Sequence, residues 1–406
     1  MCLPARTSAL LLVLGVLSAC TDRAPAPTGL GIAASRSGVP FALGLASPAW
    51  QEMALSHAPQ PPAMNPLQAT HAYDLVGVAQ YLAVQRADMA VGSNGRSNVE
   101  AERGAVAGAS AAVLTYLFPG AAQAFEDLVT EQANAGAGQP QPWFTRGEAI
   151  GRDVGAGIVT RAQGDGFGVA LNPAPPVGPG YWTTNAPGLP VAGGQLPGVT
   201  PWFLTSANQF RPAAPPAFGS DAFNAAVAEI RTLSDTRTPE QTRIAAFWAL
   251  NTGSITAAGF WLQVATNDIN ARGLSEREAT HLYALLSATM FDAVIGCWDA
   301  KHVYWLIRPW KADPAITVVA AVGKPNHPSY PSGHSCVSSS GAEVLSTFFP
   351  EQRGQLEAMV TEAGLSRMYG GIHYRFDIED GQALGRNVAR FTIAADASGN
   401  SVLTPQ

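Results

Sequence analysis

Apolar residues recur at three- and four-residue spacing along most of the chain, which is the period of a helix with one buried face. In the first half of the chain this pattern predicts four alanine-rich helices, over residues 72–91, 99–117, 120–133 and 147–161. No segment combines the alternating pattern and the turn residues that indicate a β-hairpin. We therefore expect an all-α fold, in which these helices form an N-terminal helical half over residues 51–170.

The segment that follows, residues 171–220, has a different character. It is rich in proline and glycine and carries scattered aromatic residues such as Trp182 and Trp202. Connections in compact domains are normally much shorter than this one. We expect this connection to wrap over a site or to join two halves.

Signals for helix ends return in the second half of the chain. Thr238 with Gln241, and Ser275 with Glu278, each have the spacing of a capping box. These signals and the later prolines and glycines predict a second helical bundle over residues 221–400. One of its predicted helices ends at Gly273, and the next runs from Ser275 to about Tyr304. Three more are predicted from about 334 to Pro350, over 352–363 with an end at Gly364, and over 377–394.

The N-terminus has the layout of a bacterial export signal. An apolar run over residues 9–17, too short to cross a membrane, follows a short segment with one positive charge. The sequence Leu17-Ser18-Ala19-Cys20 resembles the lipobox, in which the cysteine is acylated; an ordinary signal peptide is the alternative. We expect a lipoprotein-type signal over residues 1–20, a flexible tether over 21–50, and a periplasmic or cell-surface protein that is lipid-anchored at Cys20.

The amino-acid composition and net charge exclude some classes of function. The 406-residue chain has 24 basic and 30 acidic residues, a net charge of −6, and 47% hydrophobic residues. Only three of the basic residues are lysines, so we expect no nucleic-acid partner. No later apolar run reaches the roughly 18 residues that a transmembrane helix needs. Two further cysteines, Cys297 and Cys336, could form a disulfide, and the sequence leaves both that pairing and assembly into a homo-oligomer open.

Three short segments of the second half carry groups that can bind an oxyanion. Lys301 and Arg308 lie in the first, Ser332 and Gly333 in the second, and Arg367 in the third. Lysine supplies a point charge, and the arginine forks match the geometry of a tetrahedral oxyanion. A serine hydroxyl and a glycine N–H at a helix N-terminus would face the same anion. Together these segments predict an oxyanion-binding site.

Two histidines and one aspartate in these segments carry candidate chemistry. His334 directly follows Gly333, and His373 lies six residues after Arg367. An imidazole near neutral pH can be a nucleophile, a metal ligand or a proton carrier. Asp377, four residues after His373, could fix its tautomer, although it is equally a candidate N-cap for the last helix. His302 and His281 are interpreted as partly exposed helix residues.

These three segments resemble the signature motifs of the superfamily that joins type 2 phosphatidic acid phosphatases, bacterial acid phosphatases and vanadium-dependent haloperoxidases. All motif positions are filled. Further likeness at residues 237–241, 247–248 and 298–300 is to the soluble bacterial haloperoxidases. The resemblance covers roughly residues 212–395. It implies two helical bundles with the active site in the C-terminal one.

The resemblance also implies roles for the site residues. Vanadate would be the cofactor, bound through the ring of His373, with Asp377 or backbone holding the other ring nitrogen. His334 would act as acid or base beside the apical oxygen. The enzyme would oxidise halide with hydrogen peroxide to hypohalous acid. The groups expected to neutralise the equatorial oxygens are Lys301, Arg308, Ser332, Gly333 and Arg367.

Two further residues are candidates for contact with the halide or for support of the site. In this family, a histidine at the position of His327 resembles bromoperoxidases, whereas chloroperoxidases tend to have an aromatic residue there. A preference for bromide or iodide is therefore our hypothesis. Trp298 lies one helical turn before Lys301 and is either a wall of the site or a core aromatic.

Two other functions stay open. A soluble acid phosphatase would use the same residues on a phosphate ester, with His373 as nucleophile in a phospho-histidine intermediate, and would need no cofactor. A non-catalytic surface lipoprotein that binds a partner through the 171–220 connection is the other alternative. The intact Lys301, Arg308 and His334 argue against it.

Overall fold

The computed structural model describes residues 44–91, 96–135 and 141–404. Within these residues the chain forms α-helices joined by loops, with a single isolated β-bridge between Tyr181 and Leu306. The predicted all-α fold class is confirmed. The signal peptide, the lipobox and Cys20 lie outside the described residues.

Five helices make up the N-terminal part of the structure. Periodicity alone predicts four of them; α2, α3 and α5 begin three to six residues before the predicted starts, and α4 begins two residues after its predicted start. Helices α3 and α5 pack closely because glycines face each other along the contact; a Cβ atom on Gly104 or Gly147 would overlap the backbone of the opposite helix. The helices are α1 (Ser47–His57), α2 (Pro66–Val91), α3 (Arg96–Leu117), α4 (Ala122–Asn134) and α5 (Pro142–Gly164).

The end of the predicted tether is wrong. Residues 47–50, placed in the tether over 21–50, are the first turn of α1. The backbone N–H groups of Ala46 and Ser47 donate to the Glu276 carboxylate at 2.6 and 2.9 Å. Trp50 is fully buried and donates to Gln132. These contacts come from residues far away in the chain, and no local pattern signals them.

Eight helices follow in the second part. The capping boxes at Thr238 and Ser275 are present, and Gly273 ends α8 in a left-handed conformation. The helices are α6 (Asp221–Asp235), α7 (Pro239–Phe247), α8 (Thr256–Arg272), α9 (Glu276–Tyr304), α10 (Pro309–Ala312), α11 (Gly333–Phe348), α12 (Arg353–Tyr369) and α13 (Arg375–Ala397).

Two predicted helix ends are wrong. Gly364 does not end a helix, because α12 continues to Tyr369. The glycine instead permits close packing, since a Cβ atom there would lie 2.6 Å from Ile378 Cγ2. Asp377 is not the N-cap of α13, which begins at Arg375 after Tyr374. Its carboxylate accepts the Tyr374 N–H at 3.1 Å and is free to act in the site as well.

Helix α9 is the centre of the fold. It is long and apolar enough to cross a membrane by length and composition, but 94% of its most apolar window is buried inside the protein. It packs against α2 on one side and against α11 and α13 on the other. A helix that is apolar on all faces is stable only when it is surrounded. Cys297 on α9 and Cys336 on α11 are buried free thiols.

The proline- and glycine-rich connection is fastened along α9. Asp292, buried in the middle of that helix, accepts the backbone N–H groups of Trp202, Phe203 and Leu204 at 2.8, 2.8 and 3.0 Å. Closer to the end of α9, Trp298 Nε1 donates to the Ala192 carbonyl at 2.8 Å. The connection therefore reaches the end of α9 where Lys301 lies.

Candidate active site

A cavity of about 390 Å³ lies among α2, α8, α9, α11 and the loops that precede α11 and α13. Six of the residues singled out from the sequence line it: Trp298, His327, Gly333, His334, Arg367 and His373. The remaining four are buried beside or behind this lining and show no surface to solvent: Lys301, Arg308, Ser332 and Asp377. The fold thus brings all ten together.

The contacts of His373 determine where its proton lies. Arg308 Nη1 is 3.0 Å from His373 Nε2, and a guanidinium can only donate, so Nε2 accepts. The proton is therefore on Nδ1, which donates to Asp377 Oδ2 at 2.8 Å. Burial, with the nearby cations, holds the pKa of His373 well below its usual range. The neutral ring presents the Nε2 lone pair toward the guanidinium of Arg308.

Asp377 is held by three donors on a single oxygen. Besides His373, the Ser329 hydroxyl donates to Oδ2 at 2.5 Å and the Tyr374 N–H at 3.1 Å. Burial raises the pKa of Asp377 to about 6, against the opposing effects of Ser329 and Lys301. The aspartate is thus a fixed acceptor that orients the imidazole.

Arg308 connects two of the three histidines of the cavity wall, His327 and His373. Its Nε donates to the His327 carbonyl at 3.0 Å and its Nη1 to the Ile372 carbonyl at 2.7 Å. Its Nη2 donates to His327 Nδ1 at 3.1 Å. Arg367, on α12, donates through Nε to the Ser366 hydroxyl at 2.9 Å and through Nη2 to the Ala245 carbonyl at 3.1 Å. The guanidinium groups of Arg308 and Arg367 are thus both held in place by uncharged acceptors.

The ammonium of Lys301 is placed differently from the arginine forks. It donates to the carbonyls of Pro328, Ser329 and Pro331 at 3.0, 2.8 and 2.5 Å. An ammonium has three donors, so all are taken by the backbone. Lys301 thereby fastens the segment before α11 and contributes its charge from behind the cavity wall.

The arrangement leaves buried positive charge without matching negative charge. In the described part of the chain, neither Lys301 nor the two arginines form an ion pair with a carboxylate; Asp377 is the one acid beside them. Burial lowers the pKa of all three, and the charge of Arg308 adds to the effect at Lys301 and Arg367. Uncompensated buried charge is costly, so a bound anion would stabilise this site.

The N-terminus of α11 faces the same space. Ser332 is its N-cap, accepting the Ser335 N–H at 3.4 Å, and Gly333 and His334 line the cavity. The first N–H groups of a helix have no partner within the helix and carry partial positive charge. With the arginine forks they form a cradle for a tetrahedral oxyanion, next to the lone pair of His373.

His334 and His327 have the same tautomer, with the proton on Nε2 and the lone pair on Nδ1. His334 Nε2 donates to the Trp248 carbonyl at 2.9 Å, so its Nδ1 has the free lone pair. His327 Nδ1 accepts from Arg308, so its Nε2 carries the proton. Burial holds the pKa of both well below the usual value, and Arg367 and Arg308 respectively add to this. The His327 ring lies 5.0 Å from that of Trp298, which is a wall of the site.

Sequence reasoning missed several groups that support the site. Ser329, the Trp248 carbonyl and the Ile372 carbonyl each bond a residue far away in the chain. Ser329 lies between two prolines near His327. This pattern predicts an ordered turn, but it does not indicate which residue Ser329 bonds. A backbone carbonyl has no sequence signal at all.

Comparisons with known proteins give a consistent result. Residues 278–397 match the PAP2 superfamily. A non-specific acid phosphatase from Providencia stuartii is 30% identical over 113 residues, which are 26% of this chain and 44% of that protein. The chain thus spans less than half the length of this curated relative.

Solved structures extend the likeness to most of the chain. A bacterial vanadium-dependent iodoperoxidase superposes with a TM-score of 0.73 at 24% identity, covering 85% of this chain and 95% of that one. A holo-type bacterial vanadium-dependent chloroperoxidase gives 0.65 at 14% identity, covering 86% and 96%. The segment that holds the cationic cradle thus matches the PAP2 superfamily, and the chain has the fold of the bacterial vanadium-dependent haloperoxidases.

Proposed function

We propose that this protein is a vanadate-dependent haloperoxidase that oxidises bromide or iodide with hydrogen peroxide to hypohalous acid. The observation that supports it most is the extent of the structural likeness. It includes the N-terminal helices and covers 85% of the chain, whereas the likeness to the acid phosphatase covers 26%. The unpaired cations and the lone pair of His373 fit vanadate, a tetrahedral oxyanion.

The residues of the cradle have distinct parts in this proposal. His373 Nε2 would hold vanadate, with Arg308, Arg367 and the first N–H groups of α11 around its oxygens. Bound vanadate supplies a Lewis acid that activates peroxide without a change of metal oxidation state. Asp377 is a positioning residue that keeps the proton on His373 Nδ1. His334, neutral with a free Nδ1, would accept and return a proton.

The preference for bromide or iodide rests on His327. Its ring lies in the cavity wall between Arg308 and Trp298, so its Nε2–H is available to an anion. We expect His327→Ala to lower bromide turnover. Unchanged halide kinetics in this variant would remove the basis for the preference.

An acid phosphatase is the alternative that a specific observation favours. The curated relative is named as one, and the lone pair of His373 suits a nucleophile for phosphate esters as well as a vanadate ligand. Phosphate and vanadate share charge and tetrahedral shape. The cradle by itself therefore does not separate the two activities.

One experiment separates these functions. Purified protein is titrated with orthovanadate in the presence of bromide and peroxide, and in parallel is given an aryl phosphate without vanadate. Vanadate-dependent bromination supports the proposal, phosphate release alone supports the phosphatase, and silence in both supports a non-catalytic surface lipoprotein. His373→Ala should abolish whichever activity is found.

Export and lipid anchoring at Cys20 form a separate proposal, which rests on the lipobox resemblance alone. Cys20→Ser should release the protein from the membrane fraction and prevent its labelling with a fatty acid. Labelling that persists in the variant would contradict the anchor.

A further inference from the structure

The cavity is much larger than the proposed reaction needs. Its volume of about 390 Å³ compares with roughly 30 Å³ for a water molecule in the liquid. Halide, peroxide and the oxyanion are all small. Volumes of about 300–1,000 Å³ are those of sites for organic ligands. The cavity is therefore large enough to admit an organic molecule.

The walls of this space are mostly apolar, with polar side chains such as Asn65 and Asn251 among them, and they come from both parts of the chain. Leu67 is on α2, Leu250 precedes α8, Val294 is on α9, and Val322 and Ile372 lie in loops beside the cradle. Apolar walls bind the apolar body of a ligand by removing its surface from water. An inorganic anion gains nothing from such walls.

The charges around the cavity are of one sign. Lys324 and Arg367 line it, and no aspartate or glutamate does so among the described residues. Lys324 is exposed, and within the described part of the chain no carboxylate pairs with its ammonium. Because Arg367 belongs to the cradle, Lys324 is the cation available to a second, organic anion. It follows Gly323, next to the apolar Val322.

The loop that carries Lys324 at the rim of the cavity is held by hydrogen bonds before a ligand binds. Asn185 Nδ2 donates to the Lys324 carbonyl at 2.7 Å, and Asn326 Nδ2 donates to the Pro190 carbonyl at 2.8 Å. The Ala192 N–H donates to the Asn326 carbonyl at 2.9 Å. A rim ordered before binding lowers the entropy cost of holding a ligand.

We propose that this cavity binds an organic anion, with an aromatic body against the apolar walls and one acidic group at Lys324, and that this molecule accepts the halogen. This role as acceptor rests on the proposed haloperoxidase function. In the transfer step a carbon–halogen bond forms and an aromatic C–H bond breaks. The halogen of hypohalous acid is reduced, the carbon is oxidised, and the displaced proton joins the hydroxide to give water.

Binding is tested first, on the full chain without vanadate, halide or peroxide. Calorimetry compares 6-hydroxy-2-naphthoate with the neutral 6-hydroxy-2-naphthamide. The naphthoate should bind more tightly, and Lys324→Met should weaken its binding about fivefold while leaving the amide unchanged. Leu250→Trp, which fills the cavity, should weaken both probes. Equal affinities of the two probes, equal effects of Lys324→Met on both, or no binding would overturn the site.

The chain offers a matched control for the lysine. Lys311 is one of only three lysines, and its ammonium donates to Thr183 and Thr184 rather than lining the cavity. Lys311→Met should weaken binding of the naphthoate less than Lys324→Met does, because Lys311 lies near Lys324 but does not line the cavity. A loss equal to that of Lys324→Met would mean that overall charge, and not this site, controls binding.

The acceptor role is tested by competition in one tube. The active enzyme, with vanadate, bromide and peroxide, is given both probes, and the ratio of brominated naphthoate to brominated amide is compared with that from added hypobromous acid. A higher ratio with the enzyme, lost in Lys324→Met, supports bromination at the site. Equal ratios would overturn the acceptor role. If nothing is brominated, the haloperoxidase function and with it the acceptor role are contradicted, and the calorimetry still decides the site.

Discussion

The proton on His373 is located by two residues that approach its ring from opposite sides. Arg308 supplies a donor at Nε2, and Asp377 supplies an acceptor at Nδ1. Neither contact alone would settle the tautomer of a neutral imidazole. Because both are buried, exchange with water cannot replace either partner, and the reactive lone pair keeps one direction.

This dependence predicts the effect of Asp377→Asn. An amide can turn its NH₂ group toward the ring, which would move the proton to Nε2 and remove the lone pair from the cradle. We expect kcat to fall about 10- to 100-fold, as for other orienting partners of histidine ligands. Steady-state kinetics and vanadate titration measure this loss.

The matched control is Asp380→Asn, on the same helix. Asp380 accepts the Tyr330 hydroxyl at 2.7 Å and lies outside the cavity lining. The activity of the Asp380→Asn variant should stay close to that of the unmodified protein. Equal losses in the two variants would show that loss of a charge on α13, and not the tautomer of His373, is the cause.

At the scale of elements, the connection between the two halves supports the site through glycine. Gly193 has φ of +77°, and a Cβ atom there would overlap the indole nitrogen of Trp298. The absence of a side chain lets Trp298 bond the Ala192 carbonyl and keep its place in the cavity wall. The connection is thus closely fitted to α9.

Gly193→Ala should therefore lower the free energy of unfolding by more than the backbone cost of a side chain at positive φ alone. Gly188 has the same φ of +77° and nothing near its Cβ position, so Gly188→Ala measures the backbone cost, about 1–2 kcal/mol. Gly193→Ala should lose about 1–3 kcal/mol more because of the overlap. Urea unfolding of both variants gives the difference, and equal losses would contradict the fit to Trp298.

A buried histidine ties α2 to the end of α5. His71 Nδ1 lies 3.3 Å from Asp74 and Nε2 lies 3.1 Å from Asp165, so the ring must donate on both sides and is protonated. Burial lowers the pKa of His71, but the two carboxylates outweigh it and raise the value to about 9. His71 follows Thr70, which lines the cavity.

This raised pKa sets a pH dependence of stability. The stabilisation is complete below the ordinary pKa of 6.5 and is lost as the pH rises through about 9, by up to about 3 kcal/mol. Asp74, whose pKa burial raises to about 6, is largely ionised above about pH 7. Denaturant unfolding between about pH 7 and 9.5 should show the loss in the natural protein and a flatter profile in His71→Gln. Parallel profiles would contradict the assignment.

At the scale of the whole molecule, the two halves share one core. The described helices fall within one compact unit, and α9 is covered on one side by α2. The approach is close: a Cβ atom on Gly77 would lie 2.5 Å from Ser287 Oγ. Leu67 and Thr70 of α2 also complete the cavity.

The fragment 221–404 should therefore not fold alone, although it contains all the cradle residues. Removal of α2 would expose the apolar face of α9 to water, at a cost of about 25 cal/mol for each Å². We expect aggregation or a state that binds a hydrophobic dye and lacks near-ultraviolet circular dichroism. A monomeric fragment with a cooperative unfolding transition would show that the C-terminal half is independent.

The predictability of individual features follows from the range of the interactions behind them. The capping boxes at Thr238 and Ser275 were predictable because both partners lie within one helical turn. Gly364 was misread because a glycine that ends a helix and one that admits a neighbouring helix look alike locally. The start of α1 was missed because its stabilising partner, Glu276, is distant in the chain.

The sequence by itself determined the all-α class and most helices, because helix periodicity and capping are local properties, and its resemblance to known motifs indicated the ten residues that meet in the site. Only the tertiary structure decided what each of these residues does there. The backbone carbonyls that occupy Lys301, the tautomer of His373 and the apolar space beside Lys324 all depend on segments brought together by packing. Directional contacts between distant segments leave no pattern along the chain, and they are what turns a cluster of cations into a site.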